Sequence, residues 1–339
     1  MLALYIFLFL VGFGLLIKGG DWFVDGSCYI AEKFHIPELL IGATIVAIGT
    51  TLPEVLVSSM AAAQGHGEMA YGNAIGSIIC NTALISAITL TFRPANVDRK
   101  SFLLPILFFV AASIVYLLSA YLFGGFSRIV GIILICIFIV YMTVQIIQVK
   151  KQPKNLEDKN EAKDEVIEDE MEKKAKKQLS PKALMIKNII FLIIGAGMIA
   201  GGAQLLVTYG SKIAEKIGIP EAVIAITMVA IGTSLPELVT AITSLVKGHS
   251  SLSIGNIIGA NLFNLILVSG LAITINPFAL PLEKTIGGIN STLLIDCPVM
   301  VLVMALLVVP TLFKGKTYRF QGIILLAIYF AFMILQFVL

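Results

Sequence analysis

Two glutamates stand where a charged side chain is costly to place. Glu54 and Glu237 each end a Gly-Thr-(Thr/Ser)-Leu-Pro-Glu motif inside a strongly apolar stretch of the chain. An ionised carboxylate at the centre of a bilayer costs about 2.5 to 3.5 kcal/mol, even on the scale taken from insertion experiments. Because a bound cation would offset that cost for both groups, the pair predicts an ion pathway.

Other side chains with oxygen atoms accompany both glutamates. Thr50 and Thr233 each precede a glutamate by four residues, so they share its face wherever the chain is helical. Further candidate hydroxyls and amides, in the two motifs and in the apolar segments that follow them, belong to Thr51, Ser234, Ser77, Asn81 and Asn264. A set of oxygen donors suits hard cations such as Ca²⁺, which takes about six to eight oxygens.

The same motifs contain residues that disturb a helix. Proline has no N–H group, so a carbonyl one turn before Pro53 or Pro236 loses its hydrogen-bond donor. Each motif therefore predicts an interrupted helix. The freed carbonyls are expected to face the same cavity as the threonine hydroxyls and the carboxylate.

The charge of the two glutamates limits which ions the predicted site can bind. Two carboxylates balance one Ca²⁺, and two Na⁺ or two protons balance them equally well. Moving an empty, doubly charged site through a low-dielectric layer is costly, which favours obligatory exchange over a passive channel. The hydroxyl-rich motifs favour Na⁺ as the counter-ion, and exchange against protons stays open as the alternative.

An enzyme is not expected. An intramembrane hydrolase would need a Ser/His arrangement, paired aspartates or an HExxH motif, and the sequence contains none of them. We therefore expect a protein without catalytic residues and without a cofactor.

The helices that position these residues follow from composition. The chain has 339 residues, of which 58% are hydrophobic and 13% are charged, with a mean hydropathy of +0.96. A soluble domain is about 45 to 50% apolar and about 25% charged, so we predict an all-α membrane protein. At roughly 20 residues per span there is room for about ten transmembrane helices. Apolar segments occur near residues 1–17, 38–63, 70–91, 101–122, 126–149, 184–208, 221–246, 252–276, 291–313 and 320–339.

The two halves of the chain carry the same pattern. Adding 183 to a residue number in the first half gives its counterpart in the second, and TIVAIGTTLPE at 44–54 matches TMVAIGTSLPE at 227–237. We predict a first five-helix repeat over 1–149, a charged linker over 150–183 and a second five-helix repeat over 184–339. Because each repeat has an odd number of spans, the two are inverted, which is typical of secondary transporters.

Four segments carry a resemblance to a known family. GTTLPE at 49–54 and GTSLPE at 232–237, with GNAIGSIICN at 72–81 and GNIIGANLFN at 255–264, closely resemble the two alpha-repeats of the sodium/calcium exchangers, within the cation/Ca²⁺ antiporter superfamily. The resemblance covers nearly the whole chain outside the linker. It implies ten helices, exchange of Ca²⁺ for Na⁺, and alternating access by sliding of the first and sixth helices against the other eight.

The resemblance also implies roles for single residues. Glu54, Glu237, Thr50 and Thr233 would bind Ca²⁺. Na⁺ would be held by the side chains of Thr51, Ser77 and Ser234 and by the carbonyl groups of Ala47 and Ala230. Asn81 and Asn264 would line the centre of the site.

Two positions depart from the family pattern. Ala260 stands where many members have a serine that matches Ser77, and this removes one hydroxyl from an expected Na⁺ site. Asn264 stands where potassium-dependent members carry aspartate, so we expect no dependence on potassium. The linker is too short for the folded regulatory calcium-binding domains of animal relatives.

The basic residues predict the orientation and the surroundings. With the linker set aside, nine Lys and Arg fall on one side of the membrane and four on the other. Since basic residues concentrate in cytoplasmic loops, both termini are predicted outside and the linker in the cytoplasm. The expected partners are the transported Ca²⁺ and Na⁺ and the lipid bilayer of a prokaryotic cell membrane. We expect a monomer, and a net charge of +3 gives no reason to expect a nucleic-acid partner.

The cysteines and histidines have no role in this interpretation. No CxxC spacing joins the four cysteines, so neither a disulfide framework nor a zinc site is indicated for Cys28, Cys80, Cys136 and Cys297. His66 and His249 are counterparts in the repeat and fall in short loops, and we interpret both as turn residues.

Overall fold

The structure, a computed structural model, describes residues 2–151, 181–217, 232–280, 285–286 and 289–338, and these residues are almost all helical. Helical segments on either side of a π-helical turn are counted here as one helix. The helices are α1 (Leu2–Lys33), α2 (Glu38–Ala63), α3 (Gly67–Phe92), α4 (Arg99–Phe123), α5 (Arg128–Lys151), α6 (Pro181–Lys216), α7 (Leu235–Lys247), α8 (Ser250–Ile275), α9 (Thr292–Lys314) and α10 (Arg319–Val338). Two antiparallel strand pairs accompany them, β1 (Gly125–Phe126) with β2 (Phe278–Ala279) and β3 (Thr285–Ile286) with β4 (Ile289–Asn290).

Nine helices among the described residues are long and apolar enough to cross a membrane. Their outward faces carry large apolar side chains, such as Phe7, Leu122 and Ile193, that are more than half exposed and suit contact with lipid. The predicted all-α membrane architecture is confirmed. Of the segment predicted over 221–246, only the part that forms α7 and the turn before it lies within the described residues. The linker predicted over 150–183 lies outside them except at its ends.

The first helix is longer than its apolar segment. We expected a span near 1–17, but α1 continues through Asp21 and Asp25 to Lys33. The Nζ of Lys247, at the end of α7, lies 3.3 Å from a carboxylate oxygen of Asp21 and 2.7 Å from one of Asp25. These ion pairs offset the charges of the two aspartates, which lie just beyond the end of the apolar segment. At 1.5 Å per residue α1 is about 48 Å long, which exceeds the roughly 30 Å hydrocarbon core of a bilayer.

The helices α1 and α6 cross through glycines. A Cβ atom on Gly12 would lie 2.9 Å from the carbonyl oxygen of Gly202, and one on Gly19 would lie 3.0 Å from that of Gly195. Because residue numbers rise along α1 as they fall along α6, the two helices are antiparallel. Gly195 is the counterpart of Gly12, and Gly202 is the counterpart of Gly19. The contacts are therefore reciprocal between the repeats, as an inverted pair requires.

The helices α2 and α8 also approach through glycines. A side chain on Gly255 would overlap the carbonyl oxygen of Leu39, and a Cβ on Gly259 would lie 2.6 Å from the Cα of Ala43. Both obstacles are backbone atoms, so only glycine permits this spacing. The close contact joins the first repeat to the second beside the residues predicted to bind ions.

Helical turns of π type occur at matching positions. One covers Asn81–Ser86 in α3 and another covers Asn264–Val268 in α8, and Asn264 is the counterpart of Asn81. Two further π turns lie at Gly42–Val46 in α2 and at Thr292–Asp296 in α9. A π turn alters the hydrogen-bond ladder of a helix and is frequent at functional sites. Both asparagines that were predicted to line the centre therefore begin an irregular turn.

The two proline motifs affect the helices differently. Within α2, the segment Ala47–Ala63 is a regular α-helix with Pro53 inside it, so the predicted interruption is wrong there. In the second repeat, α7 begins at Leu235 and Pro236 lies in its first turn. A helix in a bundle tolerates an internal proline because neighbouring groups satisfy the freed carbonyl. A proline in the first turn removes an N–H that has no helical partner anyway.

Candidate cation-binding site

Glu54 and Glu237 occupy buried positions in opposite repeats. Glu54 lies in the middle of α2 and Glu237 in the first turn of α7, and neither side chain has any exposed surface. The segments that carry them, Ala47–Ala63 of α2 and α7, contact each other. The structure thus brings together the two acidic groups that the sequence indicated, and neither of them faces lipid.

Both carboxylates lack hydrogen-bond donors among the described residues. None of their four oxygen atoms has a hydrogen-bond partner there, and the same is true of the amide groups of Asn81 and Asn264 and of the Thr51 hydroxyl. Buried polar groups are nearly always paired, because leaving one unpaired costs about 1 to 3 kcal/mol. A cluster of unpaired oxygen atoms around two carboxylates is the arrangement that a cation site requires.

Hydroxyl groups from both repeats face this cluster. The buried Thr50 and Thr51 lie within about one turn of Glu54 on α2. The Oγ atoms of Ser77 and Ser234 lie 3.5 Å apart, with one serine on each repeat. Four of the predicted hydroxyl ligands therefore converge on one region.

Of the other predicted ligand residues, Ala47 and Thr233 lie within the described part of the chain. Ala47 is buried in α2, and its carbonyl oxygen lies 3.4 Å from the Oγ1 of Thr50. Thr233 lies in the turn before α7 and is partly buried. Ala230 lies outside the described residues.

Two asparagines without an assigned role from the sequence support the cluster. The Thr50 hydroxyl donates to the amide oxygen of Asn256 in α8 at 3.2 Å, which links the two repeats. The Nδ2 of Asn73 in α3 donates to the Ser58 hydroxyl at 2.8 Å and to the carbonyl oxygen of Glu54 at 3.4 Å. Asn73 and Asn256 are counterparts, so the alignment of the repeats contained the signal that could have identified them.

The oxygen atoms of the cluster are suitable ligands for a hard cation. Carboxylate, hydroxyl and amide oxygens bind Ca²⁺ well, whereas transition metals favour imidazole and thiolate ligands. The first turn of α7 adds a partial positive charge that favours the ionised form of Glu237. When both glutamates are ionised, one divalent ion or two monovalent ions neutralise them.

Comparison with known proteins shows the family of the chain. The model of the sodium/calcium exchanger protein family matches residues 4–147 and 187–338. The chain is 33% identical over 332 residues to an uncharacterized membrane protein of Methanocaldococcus jannaschii, with 97% of each chain covered. It is 28% identical over 359 residues to the sodium/calcium exchanger MaX1 of Methanosarcina acetivorans, with 99% of each chain covered.

A solved structure has the same fold. It is that of the sodium-calcium exchanger NCX_Mj soaked with 2.5 mM Na⁺ and 10 mM Sr²⁺, and it matches with a TM-score of 0.78 and 30% sequence identity over 98% of each chain. The chain therefore belongs to the sodium/calcium exchanger family of membrane antiporters, and it is a transporter rather than an enzyme.

Proposed function

We propose that the chain exchanges Ca²⁺ for Na⁺ by alternating access, with both ions competing for the cluster around Glu54 and Glu237. The family makes the chain a cation/Ca²⁺ antiporter. The identity of the counter-ion and the roles of the individual residues are the content of the proposal.

One observation is the main support for this proposal. Two buried carboxylates, one from each repeat, have no hydrogen-bond partner among the described residues. A pair of bare charges in the interior of the membrane is costly, because the desolvation of each ion amounts to several kcal/mol. The cluster therefore crosses the membrane loaded with Ca²⁺ or with the ions that replace it. This is the physical basis of exchange without leak.

The hydroxyls support Na⁺ as the counter-ion. A proton needs only a carboxylate oxygen, whereas Na⁺ needs several neutral oxygens around it. We assign Ca²⁺ to the two carboxylates with Thr50 and Thr233, and Asn81 and Asn264 to the lining of the centre. Na⁺ is assigned to the hydroxyls of Thr51, Ser77 and Ser234 and to the carbonyls of Ala47 and Ala230.

Ion flux in vesicles tests the counter-ion. The purified chain is reconstituted into vesicles loaded with Na⁺, and uptake of radioactive Ca²⁺ is followed after dilution into medium without Na⁺. Uptake should scale with the Na⁺ gradient at constant pH and should persist when a protonophore removes any pH gradient. Uptake that responds only to a pH gradient would instead establish proton exchange, and uptake without any counter-ion would indicate a channel.

The Ala260→Ser substitution is expected to strengthen the dependence on Na⁺. Ala260 is fully buried in α8 and is the counterpart of Ser77, so serine there restores a hydroxyl to the second repeat. A hydrogen-bond-like contact contributes about 1 kcal/mol, which corresponds to roughly a fivefold change in apparent Na⁺ affinity. Na⁺ titrations of Ca²⁺ uptake by the variant and the wild type measure the shift. Identical titrations would remove this position from the set of ligand positions.

The orientation and assembly are also proposed. Both termini are placed outside and the linker over 150–183 in the cytoplasm, because basic residues concentrate in cytoplasmic loops. A single chain is taken as the functional unit. A tag at the C-terminus should be accessible to antibody on intact cells. Protection of the tag until the membrane is opened would reverse the orientation.

A further inference from the structure

A second group of metal-ligating side chains lies outside the cation-binding cluster. Cys28 of α1, Glu38 at the start of α2 and His249 in the turn before α8 each place one ligand atom within 4.8 Å of the others. The Nδ1 of His249 lies 2.7 Å from Oε1 of Glu38. Cys28 is buried, and the side chains of His249 and Glu38 are 28% and 35% exposed, so the group is open at one edge.

We propose that this group binds a borderline divalent cation such as Zn²⁺, and that the bound metal holds α1 against α2 and α8. Thiolate, imidazole and carboxylate are the three ligand types of zinc sites in proteins, and a water molecule completes a tetrahedral shell around three of them. Binding replaces the contact between His249 and Glu38, and Cys28 binds as the thiolate after its proton leaves to solvent. Ca²⁺ and Na⁺ prefer oxygen ligands, so the transported ions are poor competitors here.

The location of the group gives the metal a mechanical effect. Lys247, two residues before His249, already pairs with Asp21 and Asp25 of α1. A metal at the group adds a second connection between the end of α1 and the second repeat. Alternating access requires α1 to move against the helices around it, so a metal that bridges α1, α2 and α8 stops exchange. This consequence rests on the proposed function, whereas metal binding itself does not.

The repeat supplies matched controls. The counterparts of Cys28, Glu38 and His249 are Ser211, Glu221 and His66, so a serine replaces the thiol in the other repeat. The thiolate ligand is therefore specific to one repeat. His66 is the matched control for His249, and the exposed Cys136 is the control for a free thiol elsewhere.

Metal binding is tested on the purified full chain with Co²⁺, which substitutes for Zn²⁺ and gives a near-ultraviolet charge-transfer band when a thiolate binds it. We expect the band in the wild type and its loss in Cys28→Ser. Zn²⁺, measured by displacement of Co²⁺, should bind at least about tenfold more weakly to Cys28→Ser and His249→Ala. Cys136→Ser and His66→Ala should match the wild type. Absence of the band in the wild type, or equal Zn²⁺ affinity in all five proteins, would overturn the site.

The effect on transport is tested in vesicles with and without Zn²⁺. Without Zn²⁺, Cys28→Ser and His249→Ala should exchange Ca²⁺ at the wild-type rate, which shows that they are folded. Zn²⁺ should inhibit the wild type and both controls but spare these two variants. Equal inhibition of every protein, or binding without inhibition, would overturn the role of the metal in holding α1. If the wild type exchanges no Ca²⁺ at all, the proposed function fails, and the Co²⁺ band still tests the site.

Discussion

Ca²⁺ exchange is expected to be lost in Glu54→Gln and in Glu237→Gln, with the fold intact. Each substitution removes one negative charge at nearly constant side-chain volume, so the remaining carboxylate balances only half of the charge of Ca²⁺. Removing one partner of a buried charge pair costs about 3 to 5 kcal/mol, which corresponds to a loss of Ca²⁺ affinity of at least about 100-fold. Uptake of radioactive Ca²⁺ driven by a Na⁺ gradient measures the effect.

Glu68→Gln is the matched control for these variants. Glu68 lies exposed in the first turn of α3, so the same chemical change there leaves the buried pair untouched. The control should exchange Ca²⁺ like the wild type, and all three variants should have thermal unfolding midpoints close to the wild-type value. Normal uptake by Glu54→Gln or Glu237→Gln would refute the assignment of the carboxylates as ligands.

The crossing of α1 and α6 should fail when a side chain is added at Gly12 or Gly195. In Gly12→Val the new Cβ would lie 2.9 Å from the carbonyl oxygen of Gly202. In Gly195→Val it would lie 2.7 Å from the backbone nitrogen of Phe23. Overpacking of this kind costs about 1 to 3 kcal/mol. Thermal unfolding in detergent should show a lower midpoint for both variants, and Ca²⁺ uptake should fall with it.

The same two helices provide the control. Gly14 and its counterpart Gly197 have no described atom within 4 Å of an added Cβ, and both are exposed. Gly14→Val and Gly197→Val should therefore unfold and transport like the wild type. If valine is as harmful at these positions as at Gly12 and Gly195, the defect comes from valine in the helix and not from the crossing.

The positions of the two buried carboxylates could be predicted because two independent signals coincide on them. A carboxylate in an apolar segment is rare, and the offset of 183 residues places Glu54 and Glu237 at matching positions. The same offset applies to Asn81 and Asn264. Such residues can be recognised in a sequence because the free-energy cost of placing a polar or charged side chain in the membrane indicates a functional role.

Other features depend on contacts between distant parts of the chain. The acidic residues of α1 pair with Lys247, which lies more than 200 residues beyond Asp21. Hydropathy along the chain carries no information about such a partner. The support that Asn256 gives Thr50 and the approach of Cys28 to His249 are likewise products of the tertiary fold. A proline in the sequence, moreover, does not distinguish a broken helix from a continuous one whose neighbours satisfy the freed carbonyl.

The reciprocal glycine contacts between α1 and α6 have a thermodynamic consequence. Exchanging the two repeats converts the contact of Gly12 with Gly202 into that of Gly195 with Gly19. Viewed from either face of the bilayer, these backbone contacts are the same, so they supply no energetic preference for opening toward one compartment. The net direction of flux is set by the concentrations of the ions and by the voltage across the membrane. Reversing those gradients reverses the exchange.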